Sequence, residues 1–397
     1  MCFMYSDDKF DYLIVGAGII GMTVAYELLQ RNKSYNILIV DKESDVGFHA
    51  SGRNSGVLHA GFYYTADSYK AKFTVEGNKL MKKFCNERNV PINNVGKLVV
   101  ANNSKEVEGL KELKKRGDIN RVDLSLITDN EAKSIEPNVN TYKYALWSPN
   151  TASVDPKLVC FTLKQDLIEK GVNFRFNVEF PNVNCKYRFL INAAGLYADK
   201  IAKSFGLAKN YVLIPFKGRY FKFIGDSPTV GTNIYPVPNL NNPFLGVHYT
   251  ITSSSDVKIG PTATPVFWRE GYSGFKRFKL TEFFEISYYM LKLFLKNKFG
   301  FRKLALEELK NYNRKYFQNK ARVMVVDFKS QFKSMPAGIR AQLLDTKTLE
   351  LVQDFVIEST KDSLHILNAV SPAFTCSFAF AKYLVDKIEN KELGDSK

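Results

Sequence analysis

Asp11-Tyr-Leu-Ile-Val-Gly-Ala-Gly-Ile-Ile-Gly21 decides the fold, and Asp41 closes the unit that it opens. The apolar run Tyr12 to Val15 predicts a buried parallel strand, and Met22 to Gln30 predicts a helix. Between them Gly16, Gly18 and Gly21 stand at G-x-G-x-x-G spacing. Gly16 permits a tight strand-to-helix turn, Gly18 lets backbone approach a pyrophosphate, and Gly21 lets helix and strand pack closely. The backbone of Ala17, Ile19 and Ile20 belongs to the same cradle, where a helix N-terminus meets phosphate charge. A second apolar run, Asn36-Ile-Leu-Ile-Val40, leads to Asp41 and Lys42. An acid at that position accepts hydrogen bonds from an adenosine ribose. Strand, turn, helix, strand and acid together predict a bound dinucleotide.

The rest of the composition narrows the class. At 397 residues the chain holds two or three domain-sized units. With 45% hydrophobic and 24% charged residues it reads as globular. No stretch reaches the roughly 20 apolar residues that span a bilayer. Met1 to Phe10 carries Asp7 and Asp8 and no basic segment before an apolar core, so no secretory signal is expected. The five cysteines (Cys2, Cys85, Cys160, Cys185, Cys376) form no C-x-x-C pair. No metal centre is expected from them, and reduced thiols suit a cytoplasmic setting. The net charge of +16 comes with no nucleic-acid motif, so nucleic acid is not an expected partner.

Along the chain, strand and helix patterns alternate through the first hundred or so residues. Helices are predicted at Lys70 to Asn89, Lys105 to Arg116, Thr128 to Ile135 and Asp155 to Lys170, strands at Gly96 to Ala101 and Phe189 to Gly195. After Pro215 come short strand-like pieces: Tyr220 to Ile224, Asn233 to Val237, Leu245 to Ile251 and Val257 to Ile259. Phe275 to Ala321 reads as helical, aromatic and basic. Strand patterns return at Ala337 to Gln342, Phe355 to Ile357 and His365 to Ala369, and a helix at Phe374 to Glu389 closes the chain. The fold class expected is α/β with an α+β second domain. A Rossmann-like cofactor domain, discontinuous over 9–98, 145–212 and 337–392, carries an inserted antiparallel-sheet substrate domain over 99–144 and 213–336. That insert includes a helical piece at 275–322.

A second signal is the stretch His49-Ala-Ser-Gly-Arg-Asn-Ser-Gly-Val-Leu-His-Ala-Gly-Phe-Tyr-Tyr64. It has no helical or strand period and is dense in small and polar residues. A loop of that kind, directly after the ribose acid, can run beside a cofactor, with Ser51, Arg53, Asn54 and Ser55 bonding its phosphates and ring.

With this stretch the chain resembles the L-2-hydroxyglutarate dehydrogenase/oxidase family of D-amino-acid-oxidase-like FAD proteins. The resemblance is carried by Gly16 to Gly21, Asn54-Ser-Gly-Val-Leu-His-Ala-Gly61, Tyr69-Lys-Ala-Lys-Phe73 and Gly96-Lys-Leu-Val-Val-Ala101. It continues through Ile234-Tyr-Pro-Val-Pro238, Pro243-Phe-Leu-Gly-Val-His-Tyr-Thr250, Ile259-Gly-Pro261, Arg269-Glu-Gly-Tyr272, Ala337-Gly-Ile-Arg-Ala-Gln342 and Asn368-Ala-Val-Ser-Pro-Ala373. It implies noncovalent FAD rather than NAD, and oxidation of L-2-hydroxyglutarate to 2-oxoglutarate. The chain departs from the family at Asp41, where Glu is common, at Arg219, where an acid is usual, and in a shorter 174–189 segment.

Oxidising a 2-hydroxy acid sends hydride to the flavin and the hydroxyl proton to a base, a role that suits histidine. Of the four histidines, His59 and His248 lie in the family-like runs, so one is the expected base and the other a substrate ligand. Arg340 is the expected carboxylate partner, with Lys97 and Lys70 ranked behind it. Gly195 ends a strand at the cofactor. Ser371, Pro372, Ala373 and Phe374 precede or open the last helix, whose N-terminus can face the reduced flavin. The electron acceptor stays open between quinone, oxygen and a carrier protein. Other readings are an amine or amino-acid oxidase, which the two histidine runs disfavour, and a flavin binder without turnover. The basic aromatic stretch from Phe275 to Arg322 reads either as packing on the sheet domain or as a peripheral membrane contact at the inner face.

Overall fold

A computed structural model of the chain describes residues 8–225, 230–238 and 245–393. Cys2, Asp7 and the start of the chain lie outside the described residues, as do Pro243 and Phe244 of the histidine-bearing motif. The first strand, Lys9–Val15, lies inside a six-stranded sheet, in parallel with Ile37–Val40 on one side and Lys186–Asn192 on the other. Ser363–Asn368, from the far end of the chain, pairs in parallel with Lys186–Asn192. Parallel strands covered on both faces bury every side chain, which is why Ile37–Val40 is apolar without alternation. The helices Ile19–Arg31, Tyr69–Glu87 and Ala373–Glu389 contribute the covering side chains.

The first helix starts at Ile19 rather than Met22, because Ile19 and Ile20 already turn into the core. The Pro156–Glu169 helix is capped as its sequence suggests, with the Asp155 carboxylate accepting from the N–H groups of Lys157 and Leu158.

A second sheet has eight strands, running in space from Phe332–Ser334 through Phe221–Phe223, Val257–Gly260, His248–Ile251 and Asn233–Pro236 to Lys97–Val100, Tyr144–Ser148 and Ser125–Thr128. It is antiparallel except where Asn233–Pro236 runs parallel to Lys97–Val100. Lys97–Val100 and Tyr144–Ser148 straddle the expected boundaries at 98 and 145, and both belong to this sheet. In a separate three-stranded sheet with Thr264–Pro265, Tyr211–Gly218 pairs antiparallel with Gly338–Asp345, which places Arg340 opposite Phe216.

The helical insert is three helices, Leu280–Lys296, Phe301–Lys310 and Arg314–Arg322, preceded by a turn at 275–277. Asn297, Phe299 and Gly300 have φ of 49°, 54° and 70°, left-handed values that stop the first helix. Asn313 caps the third by accepting from Lys315 and Tyr316 N–H.

Candidate active site

The chain leaves the first strand at Gly16 with φ +110°, where a Cβ would lie 2.5 Å from the Ala193 carbonyl oxygen. At Gly21 a Cβ would come within 2.1 Å of the Gly16 carbonyl oxygen. Only glycine fits either position. Gly18 is the N-cap and offers no side chain. The Ser51 hydroxyl instead accepts from Ile19 N–H at 2.9 Å, stapling the polar loop to the turn. Asn54 braces that loop from inside, donating to the Ala50 and Ser51 carbonyls and accepting from Gly56 N–H. The Asp41 carboxylate accepts from Ala17 N–H at 2.8 Å and from Glu43 N–H at 2.9 Å. Burial raises its carboxyl despite these bonds, and each oxygen keeps acceptor capacity for a ribose hydroxyl.

One cavity of about 1290 Å³ takes in almost every residue expected at the site. Gly16, Gly18, Ile19, Ile20, Asp41 and Lys42 line it, as do Ser51, Arg53, Asn54, Ser55 and Gly195. So do His59, His248 and Arg340, together with Ser371, Pro372, Ala373 and Phe374. Ala17 and Gly21 do not: the one spends its N–H on Asp41, and the other is closed against Gly16. The volume exceeds the roughly 300–1,000 Å³ of an ordinary small-ligand pocket and suits a dinucleotide. Two helix N-termini, at Ile19 and Ala373, open on it, and neither N-cap residue supplies a side-chain cap. Their positive ends suit a pyrophosphate and the negative charge of a reduced flavin. These features fit FAD.

A charged network the sequence did not reveal flanks the ribose acid. Lys42 pairs with Glu270 and lies 4.6 Å over the Tyr197 ring. Arg277 pairs with both Glu43 and Glu270. His49 lies 2.9 Å from Glu43 and 2.7 Å from the Tyr272 hydroxyl. Burial opposes ionisation of Glu43, yet bonds from Arg277 and His49 hold its carboxyl at about 2. Glu43, His49 and Glu270 bring donor atoms within 4.8 Å of one another, as a metal site would, but Lys42 and Arg277 already supply both carboxylates with positive charge. Arg53 donates to the Phe48 and Ala337 carbonyls and lies 4.4 Å over the Tyr272 ring. Arg269, fully buried, bonds both oxygens of Asp199 at 2.6 and 2.9 Å. The Arg269-Glu-Gly-Tyr272 motif therefore ties the second half of the chain to the nucleotide sheet.

The eight-stranded sheet brings His248 to the cavity, and the turn after the short strand Val57–Leu58 brings His59 to it. His248 Nδ1 lies 2.8 Å from the Gly246 carbonyl. A carbonyl only accepts, so Nδ1 carries the proton and Nε2 presents a lone pair. The ring stacks on Tyr235 with centroids 3.7 Å apart. Burial holds His248 down at about 3. His59 is buried too: its backbone N–H donates to the Thr375 hydroxyl, and its ring Nδ1 has no partner among the described residues. Burial first, then Lys97 and His248, push His59 well below the ordinary histidine range. Both rings are thus neutral near pH 7 and able to accept a proton.

The cations divide differently from expectation. Arg340 bonds Gln342 through Nε, and burial lowers its guanidinium to about 10. Lys70 lines the same cavity, and burial, then the charge of Arg340, lower it to about 7 against the pull of Asp354. Lys97 does not line it. Nor does Arg219, whose guanidinium donates to the Asn311 carbonyl and lies 4.6 Å over Tyr312, so the helical insert absorbs its charge. His365 is held in the sheet between Asn192 and Ser363. Tyr64, Tyr220, Tyr235 and Asp354 line the cavity without having been singled out as site residues. Tyr64 and Tyr235 stood inside quoted motifs, whereas Asp354 carried no local signal.

Comparison with known proteins agrees with this geometry. The family model for FAD dependent oxidoreductases, DAO, matches residues 11–387. The mitochondrial L-2-hydroxyglutarate dehydrogenase of Caenorhabditis elegans is 33% identical over 413 residues, covering 96% of this chain and 94% of that protein. The Escherichia coli K12 L-2-hydroxyglutarate dehydrogenase is 31% identical, covering 96% and 93%, and the human mitochondrial one 32%, covering 97% and 90%. Among solved structures, the FAD-bound L-alpha-glycerophosphate oxidase of Mycoplasma pneumoniae superposes with a TM-score of 0.74 at 22% identity, covering 96% and 95% of the two chains. Glycine oxidase from Geobacillus kaustophilus gives 0.70 at 17% identity, covering 98% and 96%, so the fold is shared. The chain belongs to the DAO family of FAD dependent oxidoreductases, groups within it with the L-2-hydroxyglutarate dehydrogenases, and has FAD as its cofactor.

Proposed function

We propose that the protein oxidises L-2-hydroxyglutarate to 2-oxoglutarate. The observation that carries this reading is the meeting of two neutral histidines and two cations, Arg340 and Lys70, on one cavity. FAD, when bound, supplies the acceptor for the hydride that leaves the substrate's carbinol carbon. The histidine pair takes the hydroxyl proton, and the fixed tautomer of His248 leaves Nε2 ready for it. Arg340 grips one carboxylate through its planar fork, and Lys70 takes the second as a point charge. Two buried cations side by side repel each other, and a dicarboxylate answers both. Names of the relatives point to the same substrate. The test is anaerobic flavin reduction across a panel of 2-hydroxy acids and amino acids. L-2-hydroxyglutarate should reduce the flavin fastest, and a faster amino acid would make this an amine oxidase.

We further infer a peripheral contact with an anionic membrane, at the cytoplasmic face, where a quinone can take the electrons. No helix among the described residues is long and apolar enough to cross a membrane. The Leu280–Lys296 helix turns Ile286, Met290 and Leu293 into the core. Its other face leaves Leu280, Phe284, Tyr288, Leu291 and Leu295 between 57% and 62% exposed, one stripe at helical spacing. Lys279, Lys292 and Lys296 accompany it, the composition of a helix that lies in a headgroup layer. The protein should co-sediment with anionic liposomes at low salt and be released as salt rises. Protein that stays in the supernatant with anionic liposomes rules the contact out.

A further inference from the structure

Lys97 heads its strand, is fully buried, and its Nζ has no hydrogen-bond partner among the described residues. The rings of Phe62, Tyr63 and Tyr235 surround it, with centroids 4.6, 4.6 and 4.7 Å from the nitrogen. A buried ammonium with only ring faces for company is costly to keep. Strand order places it. Lys97–Val100 neighbours Asn233–Pro236, which neighbours His248–Ile251, and Tyr235 on the middle strand touches both the ammonium and the His248 ring. Lys97 is absent from the cavity lining, so it sits behind the histidines rather than against substrate.

We propose that Lys97 is a positioning residue for proton transfer, whose positive charge, held behind His59 and His248 on the acid side, keeps both unprotonated until the substrate delivers its hydroxyl proton. This rests on the reading of the site given above. The groups facing the three nitrogens are few. His59 meets Lys97 and His248. His248 meets the Gly246 carbonyl, Tyr235, Lys97 and Lys258 from the Val257–Gly260 strand. Lys97 meets the phenols of Tyr63 and Tyr235, which burial keeps protonated. Among the described residues, no carboxylate acts on any of the three. Burial brings Lys97 itself to about 7. As pH falls the first proton therefore goes to Lys97, and its charge then keeps the next from the histidines.

Removing that charge should let the histidines protonate earlier. In flavin-loaded Lys97→Met the acid limb of anaerobic reduction by L-2-hydroxyglutarate should move up by about one pH unit. The rate should fall about tenfold against wild type on that limb and little near pH 8, where Lys97 is already neutral. Lys97→Arg, permanently charged, should keep the wild-type limb. A Lys97→Met profile parallel to wild type, lowered uniformly, overturns the proposal. A second measurement needs neither a Lys97 variant nor substrate. The chain has only four histidines, so nitrogen-labelled imidazole NMR of the wild-type holoenzyme, assigned with His59→Gln and His248→Gln, reads their protonation directly. His248 should stay neutral to about pH 3, and His59 should titrate well below the ordinary histidine value. Titration of both near the ordinary histidine value of about 6.5 overturns the proposal. Failure of hydroxyglutarate to reduce the flavin leaves this second result intact, so the two readings fail separately.

Discussion

Alanine in place of His59 or His248 is expected to slow flavin reduction by L-2-hydroxyglutarate by roughly 10²- to 10⁴-fold, the range lost with a positioned general base. Both rings reach the cavity neutral, and His248 is locked by the Gly246 carbonyl and the Tyr235 stack. Alanine removes the proton acceptor and leaves the nucleotide turn untouched, because that turn is closed by Ser51, Asp41 and its own glycines. FAD content should therefore stay at the wild-type level. The double variant should lose little beyond the worse single one, since groups that act as a unit are not additive. Rapid-mixing measurement of flavin bleaching decides this. Wild-type rates in both single variants show that the proton goes elsewhere.

The second large effect concerns the two cations. Arg340→Met should weaken binding of 2-oxoglutarate and L-2-hydroxyglutarate by roughly 30- to 5,000-fold, because losing one partner of a desolvated charge pair costs about 2–5 kcal/mol. Lys70→Met should cost most for dicarboxylates and little for hydroxy acids with a single carboxylate. The pH dependence has a definite sign. Lys70 sits at about 7 in the free protein, so it carries charge below that pH and loses it above. Dicarboxylate affinity should be full on the acid side of about 7 and fall up to tenfold per pH unit above it. Titration of the flavin spectrum with 2-oxoglutarate measures both. An equal loss for mono- and dicarboxylates in Lys70→Met means that Lys70 does not read the second carboxylate.

The dinucleotide unit was legible because its constraints are local: Gly16 and Gly21 are required by atoms within a few residues or on the next strand. His59, His248 and Arg340 were found through the short motifs around them. What brings them together is not local. Asn233–Pro236 finds Lys97–Val100 as a parallel partner across a long stretch of chain, and no spacing announces such a pairing. For the same reason the sequence offered Lys97 as a cation for substrate, although its side chain does not line the cavity. The helical insert failed differently. Apolar periodicity continues through 297–300, while the left-handed backbone at Asn297 and Phe299 breaks the helix. Glu43, Glu270 and Arg277 were invisible as a unit, because an ion-pair network leaves no spacing in sequence.

The most direct measurement mixes the FAD-loaded protein with L-2-hydroxyglutarate in the absence of oxygen and follows both flavin colour and product. The yellow flavin should bleach, with one 2-oxoglutarate formed for each flavin reduced. Flavin that stays yellow with L-2-hydroxyglutarate, or that bleaches only with an amino acid, contradicts the assignment.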